Sequence, residues 1–382
     1  MDLSLTEQEK MVQSVVREFA EKEVGPIAAE IDQTEEFPTE TLKKMQKIGL
    51  YGLAYPKEYG GAGGSLLSYF IAIEEISKKC ATTAVILAAP ASLCAWPIMK
   101  YGTKEQKEKY FRPIVEGKKV GGFALTESGA GTDSAMQQTT AILEGDYYVL
   151  NGTKCFITGA GQFDFFVVMS MTDKTKKTRG ISAFIVEADT PGFTIGKIED
   201  KMGIRASATG ELIFKNVKVP KENLLGKEGE GFKIAMQTLD GGRIGIAAQA
   251  LGIAEGAMEE TVKYIQERIQ FGKPISAFQG IRWYIAEMET KINATRCLMY
   301  NAIYLKENGK PYSKEASMAK LFASETAKYV TDMAIQLHGG YGFTKDYPVE
   351  RMHRDAKITE IYEGTSEVQK MVIAAHTIKP KI

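Results

Sequence analysis

Residues 358–370, ITEIYEGTSEVQK, hold the side chains best placed by type and spacing to do chemistry. Glu363 follows Ile361 and Tyr362, so its carboxyl is expected in apolar surroundings. Burial disfavours the charged form, raises the pKa and makes a carboxylate a better base near neutral pH. Gly364 offers a backbone amide that can face a developing oxyanion. Thr365 and Ser366 are cap-type residues that mark the return to helix. Capping accounts for those two and leaves Tyr-Glu-Gly unexplained; a plain capped loop is the alternative reading.

Four other stretches could serve a ligand. In LTESGAGTD, Gly129 and Gly131 flank Ala130 ahead of Thr132 and Asp133, and glycines allow close backbone approach to an anion or a ring carbonyl. In ERIQFGKPISAFQ, Arg268 could clamp a diphosphate and Phe271 could stack on a flat ring. An ordinary helix end, with Gly272 as cap, Lys273 at the negative dipole end and Pro274 as the stop, competes with that reading. In IQLHGGYGF, Gly339 and Gly340 either stop a helix or let backbone pack on a ligand, with Gln336 supplying an amide. LDGGR puts Asp240 and Arg243 on one face at a helix start, as a ligand pair or as a surface ion pair of little worth.

Three segments must position these residues. Residues 1–120 read as helical: Thr6 is an N-cap candidate, PTETLKKMQKIGLYGL carries an apolar stripe, and YGGAGG is a flexible loop. Residues 121–228 change to short β-rich runs, with EGDYYVLNG as a hairpin on a Gly-Asp turn, which predicts a small antiparallel sandwich or barrel. Residues 229–382 return to long helices. Leu251, Ala254, Met258, Val262, Ile265 and Ile269 form one stripe, Ile285, Met288, Ile292, Met299 and Ile303 a second, and a third helix runs over 314–337. An α, then β, then α order is not the alternating pattern of a dinucleotide-binding doubly wound sheet.

The bulk composition narrows the function classes. The 382 residues contain 48 basic and 48 acidic side chains, a balance that gives no argument for nucleic acid or an anionic membrane. No run of about 18 apolar residues is read, so no span is expected, and the polar start MDLSLTEQEK is unlike a signal peptide. The four cysteines are scattered and expected to be reduced and buried, in keeping with a cytoplasmic protein. The three histidines have no metal-ligand spacing, and no metal is expected.

Taken in order, LTESGAGTD, GTKCFITGAG, ERIQFGKPISAFQ, QLHGGYGFTKDYPVERMHRDAKI and IYEGTSE resemble the acyl-CoA dehydrogenases across essentially the whole chain. The resemblance implies an α+β fold: an N-terminal helical domain, a middle β-sandwich or barrel, and a C-terminal four-helix bundle. It implies FAD, held by Phe123, Leu125, Thr126, Gly131, Thr132, Phe156 and Thr158 at the flavin. It gives the dinucleotide to Arg268, Phe271 and Gln279 from one subunit and to Gln336, Gly339 and Gly340 from another, with Thr365 and Glu367 completing the site. Many members carry tryptophan at the position of Phe156 and glutamine at that of Glu367.

The implied reaction is α,β-dehydrogenation of an acyl-CoA thioester, or its reverse. Glu363 takes the pro-R α-proton as the β-hydride passes to flavin N5, and the Gly364 amide with a flavin ribityl hydroxyl stabilises the enolate. Asp240 and Arg243 match the family's DxxR that meets CoA, while Thr132 and Tyr362 line the thioester pocket. Some branches carry the base just after that aspartate; here Gly241 and Gly242 leave Glu363 as the candidate. The implied protein is a short-chain, butyryl-CoA-type homotetramer coupled to electron-transferring flavoprotein. An enoyl-CoA reductase of acryloyl- or arylacryloyl-CoA in an anaerobe is the second reading.

Overall fold

A computed structural model describes residues 4–378; residues 1–3 and 379–382, which the sequence reading placed in the first and last helical segments, lie outside the described residues. The N-terminal part is helical, as expected: α1 (Glu7–Phe19), α2 (Ala28–Thr34), α3 (Thr39–Lys47), α4 (Leu66–Ser77), α5 (Ala81–Ala89), α6 (Trp96–Tyr101), α7 (Lys104–Gln106) and α8 (Arg112–Val115). Thr6 caps α1 in a reciprocal capping box with Glu9. The glycine-rich loop at 60–64 is not flexible packing-wise: Gly63 N–H donates to Tyr55 O, Gly64 N–H to Leu53 O, and a Cβ on Gly61 would stand 2.1 Å from Tyr55 O. Its glycines are there for close approach.

The helical stretch Ala81–Tyr101 corrects the expectation that no segment is long and apolar enough to span a membrane. It passes by length and composition, but 78% of its most apolar window is buried inside the protein. Its small, uncharged residues let it pack against α4 and the first long helix of the C-terminal part. The cysteine expectation also needs one correction: Cys80, Cys94 and Cys155 are buried and free, whereas Cys297 is free and exposed.

The middle segment forms one sheet of β1 (Gly121–Ala124), β2 (Thr140–Glu144), β3 (Tyr147–Thr158), β4 (Phe165–Met171), β5 (Ile181–Glu187), β6 (Phe193–Ile198), β7 (Thr209–Pro220) and β8 (Leu224–Leu225). The order is β6-β7-β3-β2-β4-β5-β8, with β1 beside β4. The predicted hairpin is present: Glu144 pairs Tyr147 across Gly145-Asp146, and Gly145 has φ +63°. The sheet is not wholly antiparallel, because β1 runs parallel to β4 and β2 meets β4 in parallel at Thr140–Met171.

The C-terminal part contains α9 (Gly231–Glu267), β9 (Ile269–Gln270), β10 (Lys273–Pro274), α10 (Gln279–Glu307), α11 (Ser313–His338), α12 (Val349–Ile358) and α13 (Ser366–Thr377). The apolar stripes are core: Leu251, Ala254, Met288, Met299, Ile303, Ala319 and Val330 are buried. Ile269 is the exception, 53% exposed, because α9 stops at Glu267 and Ile269 belongs to a hairpin. Two contacts show that α9 and α11 run the same way. Arg243 reaches Ser317 in their N-terminal halves, and Tyr264 stacks on His338 at 4.3 Å near their ends. An up-down-up order of α9, α10 and α11 follows.

Candidate active site

The loop between α12 and α13 presents Glu363. Ser366 N–H donates to Glu360 O and closes the turn, and Thr365 caps α13 by accepting from Val368 N–H. Inside it, Glu363 has φ +54° and Gly364 φ +95°. A left-handed glutamate is strained by roughly 1–3 kcal/mol and persists only where its surroundings over-determine it, which is typical of working sites. The loop therefore departs from a plain capped turn at Glu363 and Gly364, two of the three residues that capping did not explain.

The carboxyl is enclosed. Glu363 Oε2 is shut off from solvent and has no hydrogen-bond partner among the described residues. Desolvation lifts its pKa to about 7, against the opposing pull of the Lys320 and Arg243 cations. Such a group is near half ionised at neutral pH and can both take and return a proton. No backbone carbonyl among the described residues accepts from the Gly364 N–H, which leaves that amide for a ligand oxygen.

Arg243 comes from the interior of α9 and not from a helix start, since α9 begins twelve residues earlier at Gly231. It is 5% exposed, so its pair with Asp240 (Nη1–Oδ1, 2.7 Å) is a buried one and not a surface contact. Asp240 Oδ1 also accepts from Ser313 Oγ at 2.8 Å. Arg243 Nε has no partner among the described residues, an orphaned donor that a ligand could satisfy. Tyr362 donates its hydroxyl to Gln249 Oε1, and Gln249 in turn holds Ala81 O at 2.9 Å.

A second group lies on the sheet. Cys155 N–H donates to Thr126 O at 2.9 Å, bringing the strand of Phe156 against Leu125 and Thr126, just beyond Phe123 on β1. The β3–β7 register shifts between Lys154 and Ile157. That bulge turns Phe156 out at φ +56° and leaves it 64% exposed, with Thr158 half-buried two residues on. Lys154, fully buried, reaches Leu125 O (2.9 Å), Glu127 Oε1 (2.8 Å) and Gln137 Oε1 (3.0 Å) and so anchors the loop. Gly131 and Thr132 are exposed on that loop, and nothing lies within 4 Å of a Cβ built on Gly131.

A third group surrounds a cavity of about 620 Å³ lined by Arg268, Gln336, Gly339, Gly340, Tyr264 and Tyr341, among others. Arg268 and Gln336 were expected on opposite sides of a subunit interface; in this chain they share one cavity, because α9 and α11 end side by side. The competing helix-end reading of Gly272 is overturned. Helix α9 ends with Arg268 as its cap, and Phe271-Gly272 form the two-residue turn of the β9–β10 hairpin, with φ +52° and +77°. Positive φ at both turn residues is the hairpin geometry. Phe271 is thereby placed at a tip, 92% exposed, and Gln279 stands exposed at the start of α10. Glu367 is exposed in the first turn of α13.

Sequence reasoning missed Lys320, Gln369, Gln249, Lys154 and Glu127. Lys320 carried a legible signal: it lies in the buried stripe of Ala316, Ala319, Ala323 and Ala327, where a lysine is out of place.

The geometry accords with comparisons to known proteins. Residues 6–118, 122–217 and 229–378 match the N-terminal, middle and C-terminal domains of acyl-CoA dehydrogenase. The short-chain-specific acyl-CoA dehydrogenase of Clostridium acetobutylicum is 61% identical over 374 residues, 98% of this chain and 99% of the relative. The acryloyl-CoA reductase (NADH) of Anaerotignum propionicum is 56% identical over 381 residues, 99% of this chain and 96% of the relative. A chain from a structural study of the electron transferring flavoprotein of Acidaminococcus fermentans superposes with a TM-score of 0.98 at 55% identity, covering 99% of this chain and 100% of that one. A buried carboxyl on a left-handed turn, a helix–sheet–helix order and three consecutive domain matches lead to one assignment: the chain belongs to the acyl-CoA dehydrogenase family, a family of flavin-dependent oxidoreductases.

Proposed function

We propose that this chain interconverts a short-chain acyl-CoA and its trans-2-enoyl-CoA, using FAD and exchanging electrons with an electron-transferring flavoprotein. The buried, partnerless Glu363 Oε2 beside the Gly364 amide carries the reading. The two are adjacent in sequence, so one ligand carbonyl and its α-carbon can be served by both.

The residues fit a flavin dinucleotide. Nothing lies within 4 Å of a Cβ built on Gly339 or Gly340, so their backbone is open to a ligand, and Arg268 on the same cavity supplies a cation for a diphosphate. Phe156 offers an exposed aromatic face, with Leu125, Thr126 and Thr158 nearby on the sheet. Phe123, Thr132, Gln279, Thr365 and Glu367 are proposed contacts on the strength of the family motif alone. Bound FAD would supply the hydride acceptor.

The steps that belong to this chain are those of a proton and an oxyanion. Glu363 removes the α-proton, and its neutral-range pKa matches that task. The Gly364 N–H donates to the thioester oxygen as charge develops there. Arg243, with its free Nε, meets the CoA part, and Tyr362 held by Gln249 walls the acyl side. Assembly into a homotetramer is part of the proposal, supported by exposed Phe271, Phe343 and Trp283 on the C-terminal part, 92%, 89% and 62% exposed.

A second reading is favoured by the 56% identity to an acryloyl-CoA reductase: the same chemistry run as reduction. A panel of saturated and unsaturated thioesters, assayed with the partner flavoprotein, tests both. Preference for butyryl-CoA supports the first reading, preference for acryloyl-CoA with an electron donor supports the second, and turnover of neither class sinks the proposal.

A further inference from the structure

Lys320 is a fully buried lysine in the small-residue stripe of α11. An ammonium in such a place costs several kcal/mol unless its partners repay the lost hydration. The stripe needs only a small or apolar side chain at this position for packing, so the charge requires another explanation.

Its hydrogen bond goes to the catalytic loop: Nζ donates to Gly364 O at 2.8 Å. Gln369 Nε2 donates to the same oxygen at 2.8 Å and to Glu363 O at 3.4 Å. Both lone pairs of the Gly364 carbonyl are therefore used. The carbonyls on either side of the Gly364 Cα are held from two directions, one donor on α11 and one on α13. The peptide that carries the Gly364 N–H is thus restrained through the carbonyl of Glu363 and through the one that follows it. These donors act on the two successive residues at positive φ themselves, whereas the Ser366–Glu360 bond and the Thr365 cap hold only the ends of the turn.

The ionisable groups around this point come from the loop, α9 and α13. Glu363 on the loop and Arg243 on α9 face Lys320, with Asp240 beyond Arg243, and Glu360 and Glu367 approach from the two ends of the loop. Lys320 and Arg243 are the two cations that favour an ionised Glu363. Arg243 already spends its charge on Asp240.

We propose that Lys320 is a positioning residue for proton abstraction: it pins the Glu363–Gly364 turn through the Gly364 carbonyl and brings a buried cation to the loop that carries the base. The inference rests on Glu363 being the base.

The test compares Lys320→Met and Lys320→Gln holoenzymes with wild type and Glu363→Gln. Two quantities are read: the acid limb of the pH profile of kcat/KM, and the washout of thioester α-hydrogens into D2O, followed by NMR. Lys320→Met is expected to lose about 10- to 100-fold in turnover and exchange and to move the acid limb up by about one pH unit. Lys320→Gln keeps a donor for Gly364 O without the charge. It is expected to recover most of the rate above the limb while the limb stays shifted. If Lys320→Met fails to fold, Lys320→Gln carries the same limb measurement. An acid limb unmoved in the folded variants overturns the proposal. Glu363→Gln separates the two failures: if it still exchanges α-hydrogens, the base assignment falls first, and if it is inert while the Lys320 variants match wild type, only the Lys320 inference falls.

Discussion

Glu363 Oε2 stands 1.9 Å from where a Cβ on Gly242 would be. The Glu363 carboxyl, the proposed base, and α9 therefore share one volume, and the missing side chain at 242 is what leaves room for it. Leu93 closes the same spot, with Cδ2 at 2.8 Å from that point. The glycine pair after Asp240 is read in the sequence as the mere absence of a rival carboxylate. In the structure one of the two glycines is a steric requirement of the Glu363 carboxyl where it stands.

Gly242→Ala should therefore act on catalysis before it acts on the fold. A methyl at 242 forces Glu363 or the loop aside, and overpacking of this kind costs roughly 1–3 kcal/mol. Glu363→Gln defines the floor of activity, since loss of a general base costs about 100- to 10,000-fold. Gly242→Ala is expected to approach that floor within about tenfold while retaining bound flavin. Steady-state rates within a few-fold of wild type would show that the base does not need this space.

The elevated pKa of Glu363 also makes a stability prediction. A carboxyl at about 7 in the folded chain against an ordinary 4.5 prefers its proton in the fold. Relative stability is then fully present below about pH 4.5 and lost as pH rises through about 7. A neutral isostere escapes that loss. Glu363→Gln is expected to raise the melting temperature at pH 8, with a ceiling of about 3 kcal/mol, and to change it little at pH 5. Equal effects at both pH values, followed by calorimetry, would contradict a raised folded-state pKa.

What was legible in the sequence followed periodicity and turn chemistry. The three long helices, the Gly-Asp hairpin and the Thr6 and Thr365 caps are local signals, and each is present. Glu363 was legible because Tyr-Glu-Gly broke a helical pattern. Features set by tertiary contact were not. Arg243 reads as surface until α11 covers it, and Phe271-Gly272 reads as a helix stop until β10 pairs back on β9. The parallel pairing of β1 with β4 joins segments some forty residues apart, and no local spacing encodes it.

Phe271 separates a folding role from a ligand role. It occupies the first position of a two-residue hairpin turn at φ +52°, where asparagine is at home and phenylalanine is not. Its ring is 92% exposed and meets Phe278 edge-on, with the centroids 6.0 Å apart. Phe271→Asn should leave chain stability unchanged or raise it by up to about 1 kcal/mol. If the ring serves the dinucleotide or a second subunit, the same variant loses cofactor or tetramer. Size-exclusion chromatography and the flavin absorbance of the purified protein read this directly, and a yellow tetramer indistinguishable from wild type removes Phe271 from the site.

Lys154 offers the complementary case, a residue whose removal should reach the proposed flavin face around Phe156 through the fold. Its ammonium is fully buried and holds Glu127, Gln137 and the Leu125 carbonyl together. Burial alone would raise the Glu127 pKa, but the Lys154 charge and the Gln138 and Thr139 contacts outweigh it and hold it below the usual value. The Glu127 side of the pair favours the fold at neutral pH and loses that contribution as pH falls through the lowered value, while burial pulls the Lys154 ammonium down to about 8 and works against it. Lys154→Met leaves a buried carboxylate without its cation and is expected to cost about 3–5 kcal/mol, measured by denaturant unfolding. Removing Glu127 as well should recover part of that loss, because the orphaned charge goes with it. The proposed flavin face should still suffer in the double variant. The Leu125 carbonyl has lost its donor, and the Thr126–Cys155 bond that sets Phe156 is adjacent. Recovered stability with cofactor affinity still weakened is the expected pattern. Full recovery of both would mean that the loop is held by the sheet alone and that Lys154 serves only to neutralise Glu127.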